Sequence, residues 1–210
     1  MIKNIRYTWV LFITVVSVLL SGCAHYTSRP FRQAGRDGRI PSLIGQGDDK
    51  VSVHAHALSK SEVSHYFGSR VASRKKATPV LLTVNNPTKK VVVLDAWDIG
   101  LHLRHVDDVL RDVKYNAAQR IITWSVLGLF IPFFFISAVV DGVNSTEANQ
   151  SMQQDFYDRV LSCDSYIKIY PHSTMSRVMF VQDSSWQKEF NVKIADRKTG
   201  QKTTINVTIA

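Results

Sequence analysis

The stretch Trp97-Asp98-Ile99-Gly100-Leu101-His102-Leu103-Arg104 decides the fold class, because apolar and other residues alternate along it without a break. Every second residue from Trp97 to Leu103 is apolar, and Asp98, Gly100, His102 and Arg104 fall between them. Successive side chains of a strand point to opposite faces of a sheet. The alternation therefore predicts a strand in a sheet that has one buried face and one wet face.

Further strand patterns lie on both sides of this stretch, and a helix with capping-box spacing (Ser59 and Glu62) follows the first of them. Before residue 97 the pattern covers Val51–Leu58, Val80–Asn85 and Lys90–Ala96. After residue 164 it returns in four runs, around Tyr166–Ile169, Arg177–Gln182, Phe190–Ile194 and Thr203–Ile209, with a turn at Asp196–Gly200 before the last. About seven short strands at roughly ten-residue intervals favour two sheets packed face to face.

The pattern between these two sets of strands is helical. Apolar residues recur at helical spacing from Val106 to Ile121 and again from Val140 to Val160. The twenty residues Ile121–Val140 carry no charge and are interrupted by Pro132. Proline ends or kinks a helix, so residues 106–162 are predicted to form a helical hairpin that bends near Pro132.

A membrane crossing by Ile121–Val140 is disfavoured, although twenty helical residues reach ~30 Å, the thickness of a hydrocarbon core. A crossing would separate the two sets of strands and would put the acidic flank, which includes Asp141 and Glu147, on the inner side. Three alternatives stay open: the hairpin packs on its own sheet, its tip dips into a membrane, or the tip contacts a partner. The residues that would make such a contact are Phe130, Phe133, Phe134 and Phe135.

The amino terminus has the layout of an export signal. Met1–Tyr7 is basic, and Thr8–Leu20 is an apolar run of thirteen residues, which is too short for a bilayer span of ~20 residues. The run ends in Leu20-Ser21-Gly22-Cys23, which resembles the lipobox of bacterial lipoproteins. In that family the leader is cut before the cysteine, and the cysteine carries the lipid.

The lipobox resemblance implies that Cys23 is the lipid attachment site and that the membrane is a partner through that lipid. Residue 24 is Ala rather than Asp. In Gram-negative lipoproteins an Asp there commonly marks retention in the inner membrane. The resemblance therefore implies a protein on the outer membrane that faces the periplasm.

The predicted organisation follows from these patterns. The order is a signal peptide (1–22), a lipidated N-terminus and flexible tether (23–49), a first β part (50–105), an inserted helical hairpin (106–162) and a second β part (163–210). The fold class is α+β. The number and spacing of the strands loosely resemble an immunoglobulin-like β-sandwich, which implies architecture and not activity.

The net charge and the number of cysteines limit which partners and which disulfides are expected. The chain has a formal charge of +9, and without the leader it keeps 24 basic and 17 acidic residues, a charge of +7. A basic exported protein suits anionic lipid headgroups or acidic wall polymers, so no nucleic acid partner is expected. If lipid occupies Cys23, Cys163 has no partner for an intramolecular disulfide and is expected to be a buried small apolar residue.

The expected function is a lipid-anchored envelope protein that binds or scaffolds an envelope protein or wall component, without catalysis or cofactor. The chain contains no G-x-S-x-G, no phosphate-binding glycine loop and no H-E-x-x-H. The alternative is a periplasmic metal-binding protein that uses the pairs His54/His56 and His102/His105. No residue is assigned as a metal ligand, because no cysteine or paired carboxylate completes a recognisable ligand spacing.

Overall fold

The computed structural model describes residues 26–31, 50–72, 77–116 and 134–210. The chain divides into two compact units. One consists of Thr27–Val113 and Gln154–Ala210, and the other of Met1–Tyr26 and Lys114–Gln153.

The described residues contain eight strands, four helices and one short 3₁₀ turn at Asp183–Ser185. The strands are β1 (Ser52–Ala57), β2 (Ala77–Asn86), β3 (Val92–Ile99), β4 (Val160–Leu161), β5 (Tyr166–Ile169), β6 (Ser173–Gln182), β7 (Glu189–Asp196) and β8 (Lys202–Thr208). The helices are α1 (Lys60–Phe67), α2 (Ser69–Ala72), α3 (Val106–Val113) and α4 (Phe134–Arg159).

The strands form two four-stranded sheets, so the chain has the mixed α+β class that its patterns predict. The first sheet has the order β1-β2-β6-β4, and the second has the order β5-β3-β7-β8. All neighbours are antiparallel except β4 and β6, which are parallel. The chain passes between the sheets at each of the five connections from β2–β3 to β6–β7, and only β1–β2 and β7–β8 join strands of one sheet.

One hydrophobic cluster joins the two sheets. Leu82 of β2 and Met179 of β6 belong to it, as do Leu94 of β3 and Val192 of β7, and none of these four side chains has measurable exposure. The alternation predicted for residues 190–194 is confirmed, since Phe190, Val192 and Ile194 are buried. In the run 203–209 it holds at Val207 and Ile209, which are buried, whereas Ile205 is half-buried and Thr203 is exposed. Burial of one face of each sheet against the other accounts for this period-two pattern.

The prediction for Trp97 is wrong. Ile99, Leu101 and Leu103 are buried as expected, but the Trp97 side chain is 81% exposed. The pairing of β3 with β7 shifts register between Leu94 and Ile99, and the Trp97 amide donates to Asp95 Oδ1 at 3.0 Å. Between these pairs β3 advances by five residues and β7 by two, so β3 carries three extra residues. An odd number of extra residues in one strand reverses the side-chain alternation locally, and this irregularity places Trp97 in solvent.

The Asn86 side chain ties two turns together at one end of the sheets. It is fully buried, and its Nδ2 donates to the carbonyls of Lys90, Ile169 and Tyr170 at 2.8, 3.2 and 3.0 Å. Its Oδ1 accepts from the amide and hydroxyl of Thr88. The β2–β3 turn, predicted from the Asn and Pro residues at 85–87, is therefore fixed to the end of β5.

In the unit that comprises Met1–Tyr26 and Lys114–Gln153, the backbone of Tyr115 lies beside Asn149 of helix α4. The Tyr115 amide donates to Asn149 Oδ1 at 2.7 Å, and Asn149 Nδ2 donates back to the Tyr115 carbonyl at 2.9 Å. Lys114 Nζ contacts Gln153 Oε1 at 2.9 Å. The predicted bend near Pro132 lies outside the described residues, as does most of Ile121–Val140. No helix in the described part of the chain is long and apolar enough to cross a membrane.

We expect Asn86→Ala to lower the free energy of unfolding by about 2–4 kcal/mol, because buried carbonyls lose their donor. Urea unfolding followed by circular dichroism measures the change. Asn191→Ala, on an exposed position of β7, is the matched control and should change stability by less than about 0.5 kcal/mol. Equal effects of the two substitutions would show that the Asn86 bonds do not stabilise the fold.

Candidate functional site

An apolar cleft of about 380 Å³ lies between helices α1, α2 and α3 and the ends of β2 and β6. Its apolar walls include Leu58, Val63, Val71, Pro79, Val109 and Phe180. All of its described lining residues belong to the unit Thr27–Val113 and Gln154–Ala210. The cleft therefore has the concave, mostly apolar form that is typical of ligand-binding sites.

Helix α1 forms one wall of the apolar cleft, and its start is fixed by the predicted capping box. Ser59 Oγ accepts from the Glu62 amide at 3.3 Å, and Glu62 Oε2 accepts from the Ser59 amide at 2.8 Å. Burial alone would raise the pKa of Glu62, but the Ser59 hydrogen bonds and the nearby His56 outweigh it and lower that pKa. The cap sets the helical phase that turns Val63 into the protein interior.

Helix α3 forms the opposite wall. Its apolar residues Val106, Val109, Leu110 and Val113 are all buried, as the helical spacing predicts. Asp107 and Asp108 lie in the first turn and Arg111 in the last, which suits the helix dipole. Valines 109 and 113 then reach the cleft.

The described polar groups of the apolar cleft are two pairs and the Lys60 ammonium group. Arg104 and Asp112 form an ion pair at 3.0 Å with side chains 17% and 19% exposed, and Thr78 Oγ1 donates to Asp183 Oδ1 at 3.1 Å. Lys60 is exposed on the rim. Among the described lining residues Thr78 has the only hydroxyl, and none is His or Cys. The described lining of the apolar cleft thus combines apolar walls with one ion pair, one hydroxyl–carboxylate pair and the Lys60 ammonium group.

A second feature of this unit is the docked segment, residues 27–31, which lies against helix α1 and the end of α4. The Arg29 amide donates to the Tyr66 carbonyl at 3.3 Å. Arg159 donates from one guanidinium nitrogen to the Tyr66 carbonyl at 3.1 Å and from the other to the Arg29 carbonyl at 2.7 Å. One side chain of α4 therefore holds both the segment and the helix on which it lies.

Aromatic contacts complete this docking. The Phe31 ring meets Tyr66 edge-on at 5.2 Å and Phe67 at 6.1 Å between centroids. The Arg159 guanidinium lies 4.1 Å from the Phe31 centroid and 4.8 Å from that of Phe67, and it pairs with Asp155 at 3.0 Å. A partly desolvated cation over aromatic faces adds to the stability of such a contact.

The docked segment belongs to the range 23–49, which the sequence predicts as a tether. Residues 27–31 of that range are held against the unit, and residues 32–49 lie outside the described residues. The signal that could have shown this is Phe31, a single large aromatic in a stretch otherwise rich in Gly, Arg and Pro. The rest of the stretch has the composition of a linker, so its pattern did not predict that residues 27–31 pack against the unit.

Beside the docked segment lies a polar groove of about 310 Å³, formed by Thr27, Arg29, Ser61, Ser64 and His65. Arg29 Nη1 and His65 Nδ1 are 3.5 Å apart across it. Neither Thr27 nor Arg29 was among the predicted site residues.

The two histidine pairs belong to different elements, and one histidine of each pair contacts a carboxylate. His56 contacts Glu62 at 3.1 Å, and His105 contacts Asp164 at 3.2 Å. His102 is exposed after β3, and its carbonyl accepts from the Gln182 amide. His54 is half-buried in β1, where burial lowers its pKa, and its Nε2 has no hydrogen-bond partner among the described residues.

Across residues 26–31, 50–72, 77–116 and 134–210, no three His, Cys, Asp or Glu side chains come together in a way that could hold a metal ion. The metal-binding alternative therefore gains no site from this part of the structure.

The remaining predicted site residues are Cys23, Phe130, Phe133, Phe134 and Phe135. Cys23, Phe130 and Phe133 lie outside the described residues, and Phe134 and Phe135 belong to the first turn of α4. Cys163 is half-buried and packs against the hydrophobic cluster, close to the expectation of a buried small apolar residue.

No family model matches the chain, and no similar protein is found among curated proteins or solved structures.

Proposed function

We propose that this chain is an envelope lipoprotein that is anchored through Cys23 and that binds or scaffolds another envelope component without catalysing a reaction. The apolar cleft is the observation that carries the binding role, because its apolar walls and the charged groups at its edge provide contacts for a partner. The lipobox resemblance of Leu20-Ser21-Gly22-Cys23 supports the anchor and the outer-membrane location facing the periplasm.

The arrangement of strands supports a finer assignment, an immunoglobulin-like sandwich. In that fold the strands A, B, E and D form one sheet, and C, F and G form the other, to which the variable type adds C′. Strands β1, β2 and β6 would correspond to A, B and E, and β5, β3, β7 and β8 to C′, C, F and G. A parallel bridge between Ala55 and Ile209 joins the first strand to the end of the last, as an A strand would join G.

The helices and β4 depart from the immunoglobulin pattern. Helices α3 and α4 and strand β4 follow β3 in sequence, so they would form an insertion between strands C and C′, whereas α1 and α2 lie between β1 and β2. Strand β4 takes the place beside β6 that strand D occupies, but it runs parallel to β6. The proposal is therefore a sandwich with an insertion that also completes one sheet.

The chemistry of the apolar cleft suggests its partner. A volume of about 380 Å³ accommodates a few apolar side chains, and Lys60, Asp183 and the Arg104–Asp112 pair can orient polar backbone or charged groups at its edge. A short amphipathic segment of another envelope protein fits this description. The cluster Phe130, Phe133, Phe134 and Phe135 stays a second predicted contact with a membrane or partner.

We expect the protein recovered from an expressing Gram-negative envelope to begin at Cys23 and to carry acyl chains there. Mass spectrometry of the intact protein measures this directly. Cys23→Ser is the matched variant and should keep residues 1–22, because the resemblance places cleavage before an acylated cysteine. An unacylated wild-type chain with its leader intact would contradict the anchor.

A photo-crosslinking amino acid in place of Lys60, on the rim of the apolar cleft, should form a discrete adduct with one envelope protein in cells. The extra substitution Ala72→Trp fills the cleft and should abolish that adduct. The same crosslinker at the exposed Thr204 of β8 is the control and should not form the adduct. An adduct that survives Ala72→Trp, or that appears equally from position 204, would refute the cleft as the binding site.

A further inference from the structure

The polar groove beside the docked segment is lined by hydrogen-bond donors. Among its lining residues, Thr27, Ser61 and Ser64 carry hydroxyl groups, His65 carries an imidazole ring and Arg29 a guanidinium group. The Ser61 hydroxyl also shares a hydrogen bond with the Ser59 hydroxyl at 2.9 Å. A guanidinium group and several hydroxyls converging on one concavity match the chemistry of a phosphate group, which has several acceptor oxygens.

The charge balance of the polar groove also favours an anion. Arg29 is exposed, and its guanidinium contacts only the His65 ring in the described part of the chain. The nearest acid along helix α1 is Glu62, whose carboxylate is engaged by Ser59 and His56. No carboxylate is among the described residues that line the groove.

The position of the polar groove along the chain supplies the second argument. Thr27, at its edge, follows Cys23 by four residues, which span at most about 14 Å when fully extended. The docked segment is held to the unit by Arg159 and Phe31, so the groove cannot move far from that cysteine. If Cys23 carries lipid, the groove lies within reach of the headgroup layer.

We propose that the polar groove binds the phosphate group of an anionic phospholipid in the membrane that holds the anchor. This inference rests on the proposed lipid anchor, since the anchor brings the groove to the headgroups. A free phosphate monoester has the same chemistry as the headgroup, so the test compares the two sources. Binding at this position orients the unit so that the start of helix α1 faces the membrane.

The test uses the full chain in maltoside micelles, which contain no phosphate, and follows the backbone signals of Arg29 and His65 by NMR. Phosphatidylglycerol added to the micelles should shift both signals saturably, whereas phosphatidylcholine or soluble glycerol phosphate should shift them at least about fivefold less effectively. Arg29→Gln should weaken phosphatidylglycerol binding about fivefold, the factor expected for one charge near a lipid surface. His65→Asn, a second variant in the polar groove, should likewise weaken phosphatidylglycerol binding.

Lys193→Gln is the matched control, because it removes one positive charge from an exposed position of β7 that lines neither the polar groove nor the apolar cleft. It should leave the affinity unchanged. An equal loss in Lys193→Gln would show general surface attraction and would overturn the groove as a site. Equal binding of glycerol phosphate, or no saturable shift, would also overturn the proposal.

The titration does not require acylation of Cys23. A titration that shows no binding can therefore be distinguished from the absence of a lipid anchor, which mass spectrometry tests separately.

Discussion

The Arg159 guanidinium is the constraint on which the arrangement around the amino-terminal segment depends. It donates to the carbonyls of Tyr66 and Arg29, pairs with Asp155, and lies against the rings of Phe31 and Phe67. The Arg159 and Asp155 side chains are each 14% exposed. A charge removed so far from water is favourable only when its donors and its countercharge are satisfied, so this geometry is tightly specified.

The aromatic rings that Arg159 contacts connect parts of the chain that are far apart in sequence. Phe67 contacts Phe156 at 5.1 Å, and Phe156 stacks on Phe180 at 6.0 Å, which extends the aromatic contacts from the docked segment to strand β6. Phe180 also lines the apolar cleft. The docked segment, the cleft and the first sheet therefore share one set of packed rings, and the two proposed binding surfaces belong to one unit.

Local patterns explain which features the sequence could predict. The capping box at Ser59 and Glu62, the alternation in β7 and the turn at Asp196–Gly200 depend on residues close together in the chain, and all are present. Trp97 was misplaced because its exposure depends on the register between β3 and β7. The docked segment was missed because Arg29 and Arg159 are 130 positions apart. The cleft likewise arises from elements that meet only in the folded chain.

The most direct test of the central claim is the hydrogen exchange rate of the Arg29 backbone amide in the full-length, membrane-bound protein. Docking predicts slow exchange, because this amide donates to the Tyr66 carbonyl, and much faster exchange in Arg159→Gln. Arg111→Gln, which removes an exposed arginine paired with Asp108, should leave the rate unchanged. Exchange of the Arg29 amide at the rate of an unprotected amide in the unsubstituted protein would contradict the docking.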